Sequence, residues 1–213
     1  MNARDVLISG ATELGLNLTP EQIRLFLLYL SILQRWTKKI NLTSVKDEKG
    51  VVTRHFLDSL AIHDFVRPES RLLDIGSGAG FPGVPIKIVI PSIEMTLLDA
   101  TQKKVFFLSD VIRQLGLKMI SAVWGRAESD DNGIRRHYYD YVVSRAVGTV
   151  DELLHISEPY LVDDGRIILM RGKSGLDEWS NSKAVSKGLR LLKYSDLLLP
   201  HSSLRGVIML VGR

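Results

Sequence analysis

The sequence predicts an α/β fold, a mostly parallel sheet with helices on both faces and a helical extension in front of it. Three observations predict it. The first third carries apolar residues at helical spacing, short apolar runs alternate with amphipathic stretches from Arg71 onward, and a glycine-rich turn follows the first of those runs directly.

Each element has its own local reason. A short helix is expected around Val6 to Leu14, ending near Gly15. Thr19-Pro20-Glu21-Gln22 then joins an N-cap threonine to a proline at the first helical position and a glutamine three residues after the cap. Ile23, Phe26, Leu27, Leu30, Leu33 and Trp36 follow on one face, which makes a single amphipathic helix. Another helix should cover Val51 to Phe65 before Pro68 stops it. Strands are expected at Arg71 to Ile75, Met95 to Asp99, Met119 to Trp124, Asp140 to Ser144 and Arg166 to Arg171, each uncharged through its middle as a strand buried on both sides should be. Helices belong between them at Pro82 to Val89, Gln102 to Leu115 and Val150 to Tyr160. After a helix near Leu176 to Ser186, Leu189 to Leu199 and Gly206 to Val211 read as two final strands around Pro200-His201-Ser202, an antiparallel edge that brings the sheet to seven strands. Residues 1–68 form the expected extension, packed on a core of residues 69–213.

Composition narrows the function. In 213 residues, 45% are hydrophobic and 24% charged, which is a folded and not a disordered composition. With zero cysteines there is no disulfide scaffold, thiolate zinc site, iron–sulfur cluster or cysteine nucleophile. No run approaches the roughly 20 apolar residues that span a bilayer, and the N-terminus lacks a secretory pattern, so a cytoplasmic protein is expected. The net charge is +4, but its distribution says more. Residues 34 to 55 hold six Lys or Arg against two acids, and Arg166 to the C-terminus holds nine against three. Two basic segments suit a polyanion, because clustered cations gain from counterion release at phosphates; a solvated face is the other reading.

The most informative stretch is Leu72-Leu73-Asp74-Ile75-Gly76-Ser77-Gly78-Ala79-Gly80-Phe81-Pro82-Gly83. Glycines after the first strand let backbone approach a ligand at the carboxyl edge of the sheet. Gly78 to Gly83 also fits GxGxxG, the dinucleotide pattern. Two features argue against a dinucleotide. Asp74 beside the turn would face pyrophosphate unfavourably, and Pro82 removes an amide donor that a pyrophosphate site would use. A ligand with a cationic end and no phosphate, such as S-adenosylmethionine, tolerates that acid. Asp99 ends the second strand, where an aspartate can accept ribose hydroxyls. In the bland alternative both acids only cap helices.

Several patterns occur in a fixed order: Asn41-Leu42-Thr43, Arg54-His55-Phe56-Leu57-Asp58-Ser59, the Asp74 to Gly83 loop, Leu98-Asp99, Gly125-Arg126-Ala127-Glu128 and Ser144-Arg145-Ala146. With them nearly the whole chain resembles the bacterial 16S ribosomal RNA guanine-N7 methyltransferase G family, also called glucose-inhibited division protein B. The resemblance implies a class I, Rossmann-like methyltransferase fold and S-adenosylmethionine as methyl donor, acting on a guanine in the decoding-region loop. The substrate would be 16S rRNA or a small-subunit particle. From the residues themselves, no metal and no membrane partner are expected, and the chain is expected to be a monomer. Carried over to this chain, the implied cofactor contacts are Gly76, Phe81, Asp99, Ala100, Thr101, Ala127, Glu128 and Arg145, beside Asp74 and Gly78 from the loop itself. One departure is the order Arg171-Gly172-Lys173, where the family commonly has a lysine before the glycine. A methyltransferase for a small molecule or protein, and a non-catalytic ribosome-assembly RNA-binding module, are the competing readings.

Guanine N7 has a lone pair and no proton, so its methylation needs positioning and no general base. Arg145 is the candidate, because a guanidinium fork can reach guanine O6 and a second acceptor; a structural ion pair to the acids of Glu128 to Asp131 is its plain alternative. His55 and Asp58, three apart on one helical face, either form a pair at the substrate mouth or pin the extension. Other candidate RNA contacts are Lys38, Lys39, Asn41, Arg126, Arg171 and Lys173. Trp36 and Tyr29 could stack bases, though their apolar stripe favours core packing.

Overall fold

The computed structural model describes residues 1–129, 131–145, 148–184 and 188–213. Two helices open the chain, α1 (Ala3–Glu13) and α2 (Pro20–Thr37), and both begin with a reciprocal capping box: Asn2 with Asp5, and Thr19 with Gln22. The next helical run does not match the continuous Val51 to Phe65 helix expected from the sequence. It starts at α3 (Glu48–Val51), widens into a π-helical turn over Val52–Leu57, and ends in α4 (Asp58–Leu60) and a 3₁₀ turn at His63–Phe65. Asp47 caps the earlier start, accepting from the Gly50 N–H at 2.7 Å.

The sheet has seven strands: β1 (Arg71–Ile75), β2 (Glu94–Asp99), β3 (Ile120–Trp124), β4 (Tyr139–Arg145), β5 (Leu161–Gly172), β6 (Arg190–Leu198) and β7 (Arg205–Gly212). Their order is β3-β2-β1-β4-β5-β7-β6, with β7 alone antiparallel to its neighbours. The strand order reverses at β1, so the crevice above the carboxyl ends of β1 and β4 is where such a sheet binds ligands. Helices α5 (Gly83–Val89), α6 (Gln102–Leu115), α7 (Val150–Ser157) and α8 (Gly175–Ser180) cover it. The expected helix to Ser186 is shorter, and its end falls at residues 185–187, outside the described residues.

Alternation along the strands sorts the two layers. Leu72, Leu97, Val143 and Ile168 face one core with α2, α5, α6 and the N-terminal helices, represented by Leu7, Tyr29, Phe56, Val84 and Phe107. Leu73, Leu98, Val142 and Leu169 face the other with α7 and α8. The extension therefore shares its core with the sheet. The β6–β7 turn closes back on it, with His201 Nε2 2.8 Å from Ser9 Oγ on α1.

Candidate active site

Backbone geometry builds the first half of the site. Gly76, Gly78 and Gly80 all have positive φ (71°, 59° and 89°), which lets the chain turn sharply out of β1. At Gly80 a side chain would also meet Tyr29 Oη at 2.6 Å. The amides of Gly76 and Ser77 donate to Leu98 O at the end of β2, at 2.8 and 3.0 Å. Tyr29 is buried, its phenol donates to Ala79 O, and burial pushes its pKa well up, so it remains a donor. Tyr29 is thus a core residue with a polar task, and not a platform for bases. Trp36 is partly buried against the same core, with Nε1 on Asp110 at 2.8 Å and its ring edge-on to Phe107.

The two strand-end acids divide their work unequally. Asp74 is completely buried, and its Oδ2 accepts from the Gly83 N–H at 2.9 Å, at the start of α5. Among the described residues its Oδ1 accepts no hydrogen bond. Burial raises its pKa to about 7, against the pull of that amide. Of the two tasks open to Asp74, serving a cationic ligand end or the surrounding loop, the contact present is the one to the loop, through the Gly83 amide. Asp99, 6% exposed, bridges two segments, with Oδ2 accepting from Gly78 N and Oδ1 from Thr101 N, both at 2.8 Å. Helix capping, the bland alternative, thus accounts for part of what both acids do. Each Asp99 oxygen retains acceptor capacity, since a carboxylate oxygen can take two donors.

S-adenosylmethionine fits this half on the structure's own terms. Gly76 is exposed, and a Cβ at Gly78 would meet only Gly76 O at 3.8 Å, so the loop presents open backbone beside an acid. Ala100 and Thr101 are exposed next to it. Trp124, 58% exposed at the end of β3, donates from Nε1 to Ala100 O at 3.1 Å and fixes that turn, a contact that no local pattern in the sequence signals. Glu128 is exposed, whereas Ala127 is buried and its carbonyl accepts from Tyr160 Oη. Phe81 is 4% exposed, and its ring stacks on His55 (centroids 4.7 Å apart, 16° between planes).

The second half is made of side chains from three distant segments. Arg145, at the end of β4, donates from one guanidinium nitrogen to Asp58 Oδ2 at 3.0 Å and to Arg54 O at 3.2 Å. Its other nitrogen lies 3.2 Å from His55 Nδ1. A guanidinium only donates, so Nδ1 must accept and the proton sits on Nε2, which is 2.6 Å from Thr43 Oγ1. Burial, then Arg145, lowers the His55 pKa to about 4, so the ring is neutral at pH 7. Burial pushes the Asp58 carboxyl up while Arg145 pulls it back. The guanidinium also lies over the Phe81 ring, 5.3 Å from its centroid. His55 and Asp58 both contact Arg145 of β4, which matches the reading that they pin the extension to the core, and the ion pair of Arg145 is to Asp58 in place of the alternative one to the Glu128–Asp131 loop. Asp130 lies outside the described residues, as does Ala146 of the Ser144-Arg145-Ala146 pattern.

The remaining candidates scatter. Arg171 is not a free cation: its side chain is 8% exposed, and it donates to Gly148 O at 2.9 Å. Lys173 is exposed, as are Lys38, Lys39, Asn41 and Arg126.

The sequence profile of the rRNA small subunit methyltransferase G family matches residues 22–198. A protein of Acetivibrio thermocellus named ribosomal RNA small subunit methyltransferase G is 39% identical, the match covering all of this chain and 89% of that one. Its namesake in Geotalea uraniireducens is 40% identical over 94% of this chain and 92% of its own. Among solved structures, TYW2 of M. jannaschii in complex with AdoMet superposes with a TM-score of 0.60 at 14% identity, over 83% of this chain and 80% of that one. A B. subtilis tRNA methyltransferase does so with 0.59 at 14%, over 73% and 64%. These two likenesses carry the fold, a Rossmann-like methyltransferase sheet.

Proposed function

Because the chain belongs to the rRNA small subunit methyltransferase G family, we propose that it methylates N7 of a guanine in the decoding-region loop of 16S ribosomal RNA, with Arg145 positioning the base. It is an S-adenosylmethionine-dependent methyltransferase. The cofactor, when bound, supplies an electrophilic methyl group on a sulfonium. Gly76, Gly78 and Asp99 would hold it, with Phe81, Ala100, Thr101, Ala127 and Glu128 beside them, and Asp74 would serve it through the loop or at its cationic end. In this reading residues 1–68 are an extension that carries Thr43, His55 and Asp58 to the methyltransferase domain of residues 69–213. The protein works as a monomer in the cytoplasm, on rRNA or a small-subunit particle.

The observation that supports Arg145 is its set of contacts. Asp58 and Arg54 O hold one terminal nitrogen and His55 the other, which leaves the Nε–H and one terminal N–H for a base, and the guanidinium lies over Phe81, the residue that follows the glycine loop. A base held by this fork is thereby held at a set distance from the cofactor loop, and proximity of that kind is the main catalytic effect available when no proton has to move. A neutral His55 agrees, since neither acid nor base is called for. Mass spectrometry of nuclease-digested rRNA from cells with and without the protein tests the reading. Loss of 7-methylguanosine from 16S rRNA is expected; an unchanged nucleoside profile would sink it.

A further inference from the structure

Beside Arg145 lies a cavity of about 260 Å³ between the helical extension and the β6–β7 hairpin. Its described lining includes four arginines, Arg54, Arg145, Arg171 and Arg205, against one carboxylate, Asp58. That acid is already engaged by Arg145. Arg54 and Arg205 are exposed, and among the described residues neither has a carboxylate within ion-pair distance. The rest of the wall is apolar. Met170, Leu199 and Ile208 are buried behind it, and Leu204 stands 47% exposed at its rim.

Cations and an apolar wall side by side have opposite tastes in ligands, and a nucleotide satisfies both. Phosphodiester oxygens pair with guanidinium forks, and the flat face of an unstacked base covers apolar surface and guanidinium planes. A free phosphate would leave the leucine rim wet, and an apolar peptide would leave two guanidinium groups unpaired in a partly enclosed site. Resting on the proposed RNA substrate, we infer that this cavity binds the nucleotide flanking the target guanosine, its phosphate between Arg54 and Arg205 and its base against Leu204. The extension and the hairpin then grip the strand together, which gives a role to the His201–Ser9 contact that closes the hairpin turn onto α1.

The test uses the full chain and a labelled single-stranded RNA carrying the target guanosine. Arg54→Gln with Arg205→Gln is expected to weaken RNA binding about 10-fold and to make its salt dependence shallower by about one phosphate contact. S-adenosylmethionine affinity, measured by calorimetry, should not change. Lys118→Gln, on an exposed position at the opposite end of the sheet, should leave RNA binding unaltered. Leu204→Ser should weaken binding of the intact RNA, and the loss should vanish on an RNA made abasic at one flanking position. Wild-type affinity and salt slope in the double arginine variant would overturn the inference. So would a Leu204→Ser loss that no abasic position abolishes. Failure of the parent reading looks different, because wild-type protein would then neither bind nor methylate this RNA.

Discussion

The two halves of the site are held by different kinds of bond. On the β1–β2 side, backbone amides of the glycine loop close onto Leu98 O and onto the carboxylates of Asp74 and Asp99, within about one supersecondary unit. On the β4 side, Thr43, His55, Asp58 and Arg145 close onto one another across segments some 90 residues apart in sequence. The first arrangement is a property of the loop and fits any substrate. The second exists only when the extension is docked, so the substrate positioning proposed for Arg145 depends on the part of the chain outside the sheet.

The largest expected effect comes from breaking the second half at its centre. Arg145→Lys keeps the charge, but an ammonium cannot serve Asp58, Arg54 O and His55 with one planar fork. Single-turnover methyl transfer at saturating cofactor should fall about 100-fold, near 2.7 kcal/mol, while cofactor affinity changes little. Recovery of the full rate at saturating cofactor would move Arg145 to the cofactor half. The positioning role would then pass to Arg126 or Lys173, which are exposed, since Arg171 is tied to Gly148 O.

The same contrast explains which features are legible in the amino-acid sequence. The glycine loop, the strand-end acids and the seven strands are legible because each depends on neighbours in sequence: a turn after a strand, an acid at a strand end, a run without charge. The β4 network is visible only as fragments. Asn41-Leu42-Thr43 and His55 to Ser59 stand out as patterns, yet spacing alone suggests that His55 and Asp58 pair with each other. Nothing local says that both meet a guanidinium delivered by β4. The inward turn of Asp74 is hidden for a similar reason, since a buried and an exposed carboxylate at a strand end read alike. The widened turn at Val52–Leu57 leaves no mark in the apolar periodicity, because a one-residue shift over a single turn keeps Phe56 and Leu57 in the core.

A second expected effect belongs to the first half. The folded protein holds a proton on Asp74 up to about pH 7, whereas the ordinary carboxyl loses it at 3.8. Asp74 therefore contributes stability that is complete below 3.8 and is lost as pH rises through 7. His55 runs the other way: its pKa is depressed from 6.5 to about 4, so its contribution is present above 6.5 and is lost as pH falls toward 4. Asp74→Asn keeps an oxygen for the Gly83 amide and cannot ionise. Comparing the two proteins cancels His55 and isolates Asp74. Between about pH 5.5 and about pH 7.5 the wild type should lose roughly 2 kcal/mol relative to the variant in denaturant unfolding. Parallel curves would mean that the carboxyl ionises normally despite its burial.

Tyr29 touches both halves, so it probes whether they are separable. Its hydroxyl holds Ala79 O in the loop while its ring stacks on Phe56, the neighbour of His55, with centroids 5.2 Å apart. Tyr29→Phe keeps the ring and strips a buried carbonyl of its donor, a loss of about 1 kcal/mol. Cofactor affinity should drop about 5-fold with RNA affinity unchanged. An equal drop in both would show that the loop and the Arg145 network move as one body.

The smallest effect per residue is expected from the surface charges, and it decides whether the RNA-facing half extends past Arg145. Lys38 and Lys39 are exposed at the end of α2, near Thr43, and exposed cations gain mainly by releasing counterions from phosphates. If each meets one phosphate of a single strand, Lys38→Glu with Lys39→Glu should make the slope of log affinity against log salt shallower by about 1.4, at roughly 0.7 per contact. Cofactor binding, which involves no phosphate, should keep its weak salt response. An unchanged RNA slope would return these lysines to a solvated face and leave Arg54 and Arg205 as the cations that matter. If RNA and cofactor respond to salt alike, even in the wild type, then no polyanion is being gripped, and a small-molecule acceptor at Arg145 becomes the better reading of the same geometry.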